Sequence, residues 1–491
     1  MFSFARTLSI SLLVVIASTL SSAQVVFTTT AIPSGDVDSH SIVSADFNND
    51  GILDLVTIND HTLSFYKGLG GGTYARPVNQ PLPPNLGQLF RELVVAADFS
   101  RHGTPDLAIA SPSGITILIG NNNGTFKQGT NIALGGAAKS LALADFNGDH
   151  LPDIAVSFCP STGGSCKTRI YLGLGNGHFT LASTLADGGG PIVAGDLNAD
   201  GHQDVAVVPE NVAAGVAGNL VALYLGFGNG HFKSPVLANL SNISSLAIGD
   251  FFNKRIQSLV ALVGSFIGGG DFQTQIFTLR FSGGILRVEN QNIVQPSTGI
   301  PFQFVTAGDL NGDFKDDIFL TGGDVHGHLS AYLLGKGNGT FQSPVDVPTG
   351  EDSPVFPFIR DLDGDSRHDI AMDWTQIFVP TSGGADVLRN TNAATNCSLP
   401  RAGRLAVHIC APAVNGRVVG QTFTFKGSGN ALNGIAKRME LWIDGRKVAQ
   451  NLEDQLRATV TLTRGNHVAA FVVVDSFDRH ASGSVSFTSK F

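Results

Sequence analysis

Charge, sulfur, tryptophan and tyrosine are all scarce in this 491-residue chain. Asp, Glu, Lys and Arg make up 14% of it, and there are 4 Cys, 3 Met, 2 Trp and 5 Tyr. So few charged residues cannot coat the outer faces of many amphipathic helices, which argues against a helical protein. Beyond the first 23 residues no apolar run is long enough to span a bilayer, so no membrane insertion of the mature chain is expected. The formal net charge of −9 offers nothing to a phosphate backbone, and no nucleic acid partner is expected. The short catalytic phrases are missing as well: there is no GxSxG elbow, HExxH helix, CxxC pair or Walker-type loop. That absence weakens an enzymatic reading without closing it, because a site can be assembled from scattered loops.

What the chain has in plenty is glycine, 59 residues, alongside a hydrophobic fraction of 43%. Short apolar strands joined by tight turns fit this balance, so an all-β chain with substantial cores is expected. Residues 1–23 carry a single cation, Arg6, then an apolar stretch from Leu8 to Leu20, then Ser21, Ser22 and Ala23, the pattern of a cleavable signal peptide. The mature chain is therefore expected to be secreted, periplasmic or at the cell surface. In that setting the two sequence-local cysteine pairs, Cys159 with Cys166 and Cys397 with Cys410, are expected to form disulfides.

Comparing the chain with itself reveals one phrase seven times: ADFNNDGILDLVTI, ADFSRHGTPDLAIA, ADFNGDHLPDIAVS, GDLNADGHQDVAVV, GDFFNKRIQSLVAL, GDLNGDFKDDIFLT and RDLDGDSRHDIAMD. The opening aspartates are Asp46, Asp98, Asp145, Asp196, Asp250, Asp309 and Asp361, spaced by 47 to 59 residues. That period suits a blade of four strands better than a two-helix repeat. A second phrase follows in most repeats, an apolar strand running into glycines and an aromatic, as in ILIGNNNGTF and LYLGFGNGHF. Each unit reads strand, acidic loop, strand, strand, glycine turn, strand, and seven such units over residues 24–392 predict a seven-bladed β-propeller. The seventh repeat lacks its last strand, while VVFTTTAIP at the start of the mature chain resembles one. Residues near 25–33 are therefore expected to complete the last blade.

The acidic phrase follows DxNxDGxxD. Side chains at positions one, three, five and nine, with a carbonyl near seven, make the oxygen-rich shell that Ca²⁺ takes, and glycine at six allows the turn. Five sets are complete: Asp46, Asn48, Asp50 and Asp54; Asp145, Asn147, Asp149 and Asp153; Asp196, Asn198, Asp200 and Asp204; Asp309, Asn311, Asp313 and Asp317; and Asp361, Asp363, Asp365 and Asp369. About five Ca²⁺ sites are expected. The net charge becomes one unit more negative when Arg6 leaves with the leader, and five such ions would bring it to about zero. The alternative is a set of hydrogen-bonded Asx turns without metal. Position six is Gly51 and Gly201 in two loops but His150, Phe314 and Ser366 in the others, where a left-handed backbone is strained. In the second repeat Ser100 and His102 replace ligands. In the fifth, Phe252, Lys254 and Ser258 do, and the Lys254 ammonium is expected to occupy the ion's place.

These two phrases resemble the FG-GAP, or VCBS-like, repeat family, which includes the propellers of integrin α-subunits and many secreted bacterial proteins. The resemblance covers about residues 25–392. It implies a propeller with calcium in hairpin loops, and adhesion or the binding of carbohydrate or protein rather than one fixed reaction. The loops at Asp98 and Asp250 depart from the pattern, which puts calcium there in doubt.

Past residue 396 the phrases stop, and six alternating strands within 396–491 predict an immunoglobulin-like β-sandwich, with Asp444-Gly445 as a hairpin turn and Trp442 in the core. The segment is weakly similar to bacterial Ig-like modules. Tyr66, Tyr171 and Tyr224 align within the repeat, so blade packing explains them, and His178 with His231 read as turn residues. Two tryptophans in all disfavour a lectin with a stacking site in every blade. The leading expectation is an extracellular adhesion or binding module for a glycan or protein. A secreted carbohydrate-active lyase or hydrolase, and a structural spacer, are the alternatives, and the oligomeric state is left open.

Overall fold

A computed structural model describes residues 25–490 except 34–40, 59–60, 87–93, 211–219, 255, 269–270, 295–300, 314, 325–326, 349–352, 364–366, 376–382, 392–405, 412–416, 420–421, 431–435, 452–454 and 476–478. The expected leader and the Cys397–Cys410 pairing lie outside these residues. Among them, strands dominate and the one helical segment is a single turn at Pro84–Leu86. Among the described residues no helix is long and apolar enough to cross a membrane.

Among the described residues, seven four-stranded antiparallel sheets follow one another. The first strands of successive sheets, from Ser41–Ala45 through Val94–Ala97, Gly136–Ala144, Gly189–Gly195, Ile243–Gly249 and Phe304–Gly308 to Ser353–Arg360, each touch the next. The last of them returns to the first. The second strands Asp54–Ile58 and Asp106–Ser111 are buried along their whole length, with both faces covered. The apolar residues divide into clusters lying between neighbouring sheets. Phe47, Val56 and Leu107 join the first to the second, and Ile32, Leu55, Tyr66 and Ala371 join the seventh to the first. A repeat β-propeller is the architecture that leaves cores only at such seams.

The seventh sheet is completed from the other end of the chain. Phe27–Pro33 runs antiparallel to Gly383–Asn390, with Phe27 opposite Asn390 and Pro33 opposite Gly384. The Val25 amide donates to the Tyr332 hydroxyl at 3.0 Å, and the Thr391 amide to the Val26 carbonyl at 2.8 Å. The N-terminal strand thus fills the gap that the truncated seventh repeat leaves.

The two recurring phrases turn out to be partners across the seams. Phe47, Phe99, Phe146 and Phe251 of the acidic phrase meet Phe126, Phe179, Phe232 and Phe341 of the next sheet's glycine turn edge-on, with centroids 5.4 to 5.7 Å apart. The turn amides of Gly124, Gly177, Gly230 and Gly339 donate to the carbonyls of the same four phenylalanines. Gly124 has φ +79°, and a Cβ there would stand 2.2 Å from the Phe65 ring, so glycine is required both by the turn and by the seam. Cys159 and Cys166 are disulfide-bonded at the end of a hairpin in the third sheet. Tyr66, Tyr171 and Tyr224 are buried, and His178 and His231 bond Thr130 and Ser183 of the preceding sheets.

The C-terminal residues form two sheets around one core. A three-stranded sheet of Ala406–Ala411, Thr422–Asn430 and Gln455–Thr461 faces a five-stranded one. In the latter, Arg417–Val419 pairs in parallel with His480–Lys490, followed by Gly465–Asp475, Ala436–Ile443 and Arg446–Asn451. Phe425, Met439, Leu441, Phe471 and Val485 lie between the sheets. Asp444 at φ +49° and Gly445 at φ +79° form the expected hairpin turn. Trp442 departs from expectation. Its strand alternates, so Met439, Leu441 and Ile443 enter the core while Arg438, Glu440 and Trp442 face outward.

Candidate functional site

Each acidic loop joins the first strand of a sheet to the second. Position nine is the first residue of that second strand, and Asp54, Asp153, Asp204, Asp317 and Asp369 there have no solvent exposure. Every one of these carboxylates accepts backbone amides from two separate places, its own loop and the end of the third strand. Asp54 takes Phe47 and Gly68, Asp153 takes Phe146 and Gly173, and Asp204 takes Leu197 and Gly226. Asp317 takes Leu310 and Gly335, and Asp369 takes Leu362 and Asn390. The residue therefore ties the loop to the end of the third strand, a structural task invisible in the spacing alone.

Position one caps the loop. Asp46 accepts the amides of Asp50 and Gly51, Asp145 and Asp196 accept the corresponding amides of their own loops, and Asp309 accepts the Asp313 amide. The backbone turns left-handed at position six, in Gly51, Gly201 and His150, and also at position four, in Asn49, Gly148, Ala199 and Gly312. Only the first of these two requirements was legible from the motif. Position five is turned toward the loop's rim: Asp50 meets Lys67 at 3.1 Å, Asp313 meets Lys315 at 2.6 Å, and Asp149 and Asp200 accept the amide two residues on. The Asn147 and Asn198 side chains bond Asp149 and Asp200, Asn48 bonds Asp54, and Asn311 accepts the Asp313 amide.

The seventh loop is the most gathered of the five. Asp361, Asp363 and Asp369 offer carboxylate oxygens within 4.8 Å of one another, and Arg389 bonds Asp363 at 2.9 Å. Asp365 lies outside the described residues, as do Phe314 and Ser366. Burial pushes Asp54, Asp153, Asp204 and Asp369 up to about 7, the neighbouring carboxylates add to the rise, and the backbone amides oppose it. Asp317 is raised well above its ordinary value for the same reasons. A desolvated aspartate with two or three further carboxylates in its loop is an oxygen donor set that fits a hard divalent cation, whose charge would remove the penalty for ionising it.

The two departing loops differ from each other. In the second, Asp98, His102 and Asp106 bring ligand atoms within 4.8 Å, and Ser100 Oγ lies 2.7 Å from both His102 Nδ1 and Asp106. His102 Nδ1 is 3.3 Å from Asp98, and Nε2 bonds the Gly120 carbonyl. An imidazole thus stands among the acids of this loop. In the fifth, Lys254 is exposed, and its backbone amide rather than its ammonium bonds Asp250. The expected ammonium plug is not formed. Ser258 Oγ takes over position nine, accepting the Phe251 amide and donating to the Gly249 carbonyl.

The FG-GAP-like repeat matches residues 46–109, 98–156 and 309–372, three stretches that each begin at a position-one aspartate. The chain carries FG-GAP-like repeats. No curated protein sequence matches it. Among solved structures, an Agrocybe aegerita lectin described as recognising non-reducing terminal N-acetylglucosamine is similar over 63% of this chain and 80% of its own, with 18% identity and a TM-score of 0.42. A mutant of Aleuria aurantia lectin in complex with alpha-methyl-L-fucoside is similar over 64% of this chain and 97% of its own, with 11% identity and a TM-score of 0.36. Fibronectin(III)-like modules of Clostridium thermocellum CbhA cover 17% of this chain and 97% of their own, at 21% identity and a TM-score of 0.16.

Proposed function

We propose that this chain is an exported, calcium-stabilised, seven-bladed propeller with an Ig-like C-terminal domain, acting as an extracellular binding module for a glycan or protein. The observation that carries the calcium reading is the burial of the five position-nine aspartates beside further carboxylates of the same loops. Asp46, Asp145, Asp196, Asp309 and Asp361 with their partners at positions three, five and nine would hold the ions. The ion supplies charge neutralisation and loop rigidity there. The Cys159–Cys166 disulfide favours folding in an oxidising compartment, in line with cleavage of residues 1–23 on export.

Propellers leave their function to loops and cavities, and no catalytic constellation among the described residues favours turnover over retention. Two measurements test the reading. Titrating the metal-free mature protein with Ca²⁺ in a calorimeter should show uptake of about five ions, and no uptake would remove the metal. Screening immobilised glycans and matrix proteins, with product analysis on any hit, should show retention without cleavage. Cleavage would make the protein an enzyme.

A further inference from the structure

We propose that the cavity between the fourth acidic loop and the outer face of the C-terminal five-stranded sheet is a saccharide-binding site with Trp442 as its stacking platform. The proposal deepens the binding-module reading and rests on it. The cavity measures about 870 Å³, within the range of small-molecule sites, and Asp196 and Asp200 of the loop line one wall while Glu440 and Trp442 line the other.

The outward face of a sandwich sheet is ordinarily a solvated mixture of mobile polar side chains. Here it is organised around one carboxylate. Glu440 is 6% exposed and accepts three donors: Trp442 Nε1 at 2.9 Å, Arg438 Nε at 3.0 Å and Lys447 Nζ at 3.1 Å. Strand register makes this possible, since Trp442 stands opposite Lys447 and Glu440 opposite Gln450, whose amide oxygen takes a further bond from Lys447 at 2.9 Å. Burial alone would raise the Glu440 carboxyl, but the bonds from Arg438, Lys447 and Trp442 outweigh it and hold the group below its ordinary value. The indole is fixed by its polar end, which leaves its apolar ring on the cavity wall in a set orientation. Fixing a partly buried tryptophan in this way is unnecessary for the core, which Met439, Leu441 and Ile443 of the same strand already fill.

The lining selects the ligand class. A pyranose offers a flat carbon-hydrogen face and a rim of hydroxyls that both donate and accept. The cavity offers an indole, acceptors at Asp196 and Asp200, and donors at Arg438 and Gln257. A phosphate-rich ligand would meet the loop carboxylates.

The test uses the full mature chain in the presence of Ca²⁺, applied to an array of neutral and uronate-containing oligosaccharides. The strongest hit is then titrated into wild type, Trp442→Ala, Trp442→Phe and Glu440→Gln. With two tryptophans in the chain, emission is a second readout that works without the array. A tenfold or greater loss of affinity in Trp442→Ala, a smaller loss in Trp442→Phe, and a ligand-induced emission change that vanishes in Trp442→Phe support the proposal. Full affinity in Trp442→Ala overturns it while leaving the binding-module reading intact, because the sugar then sits elsewhere on the protein. Absence of any saccharide binding by wild type, or binding of peptides alone, overturns the ligand class. Should Trp442→Ala fail to fold, the Trp442→Phe emission experiment decides.

Discussion

Removing calcium should reverse the sign of the protein's pH dependence. In the metal-free chain Asp54, Asp153, Asp204 and Asp369 are raised from 3.8 to about 7, chiefly by burial. A group raised on folding stabilises the native state fully below its unfolded value and loses that contribution as pH climbs through the folded one. For a carboxyl without solvent exposure, a rise from 3.8 to about 7 corresponds to roughly 4 kcal/mol at about 1.4 kcal/mol for each tenfold change. Relaxation and water entry will recover part of this, so a few kcal/mol per loop is the realistic scale. With Ca²⁺ bound the carboxylates are ionised at neutral pH, and acid must compete with the ion. The assay is thermal denaturation of the mature protein in chelator and in millimolar Ca²⁺, from about pH 5 to about pH 8. In chelator the Tm should fall as pH rises through 7, in Ca²⁺ it should hold or rise, and the gap at pH 8 should be on the order of 5–10 °C. Two parallel curves would refute the reasoning, because they would mean that no ion answers the buried charge.

Three further outcomes follow from other parts of the fold. A chain beginning at residue 34 should lose much of its thermal stability and become prone to association, since without Phe27–Pro33 the seventh sheet ends on an unpaired edge; scanning fluorimetry and gel filtration check this. Replacing Cys159 and Cys166 by serine should cost about 2 kcal/mol by freeing a short loop in the unfolded chain, read from denaturant midpoints under oxidising conditions. His102 should titrate above 6.5 by NMR: burial works against its charge, but the Gly120 carbonyl and the carboxylates of Asp106 and Asp98 outweigh it. His102→Ala should therefore destabilise by up to about 1 kcal/mol below pH 6 and by little above pH 8, where the imidazolium contribution is lost.

Much of this architecture could be read in the sequence because each sheet repeats the same solution to the same packing problem. Seven aspartate phrases at near-constant spacing stand at the heads of seven sheets, and the missing strand of the seventh repeat pointed to VVFTTTAIP. The pairing of Phe47 with Phe126, and of its three counterparts, was not legible, since it links one unit to the next and has no fixed spacing within either. The place of Trp442 was legible in its strand. The alternation Arg438, Glu440, Trp442 against Met439, Leu441, Ile443 already put the indole on the polar face, but a lone tryptophan in a sandwich strand suggests core when its neighbours are not counted. Lys254 failed for a different reason: a long exposed side chain gains little by entering a loop that keeps only one acid, Asp250.

The departing loops also separate two tasks that the complete loops combine. Asp106 is as buried as Asp54 and accepts Ser100 and Gly120 in the same manner, although positions three and five of its loop are serine and histidine. Ser258 keeps half of the arrangement by bonding Phe251 and Gly249. Position nine is thus retained where the full acidic set is not, so its first role is to lock the hairpin onto the third strand. A buried carboxylate is an expensive lock unless something neutralises it. In the second loop His102 offers a proton at that place. In the fifth, a neutral serine avoids the problem. In the remaining five, the acids at positions one and five, joined by Asp363 at position three of the seventh loop, would only worsen the repulsion unless a cation sat among them, and this contrast within one chain is the strongest physical argument for the ions.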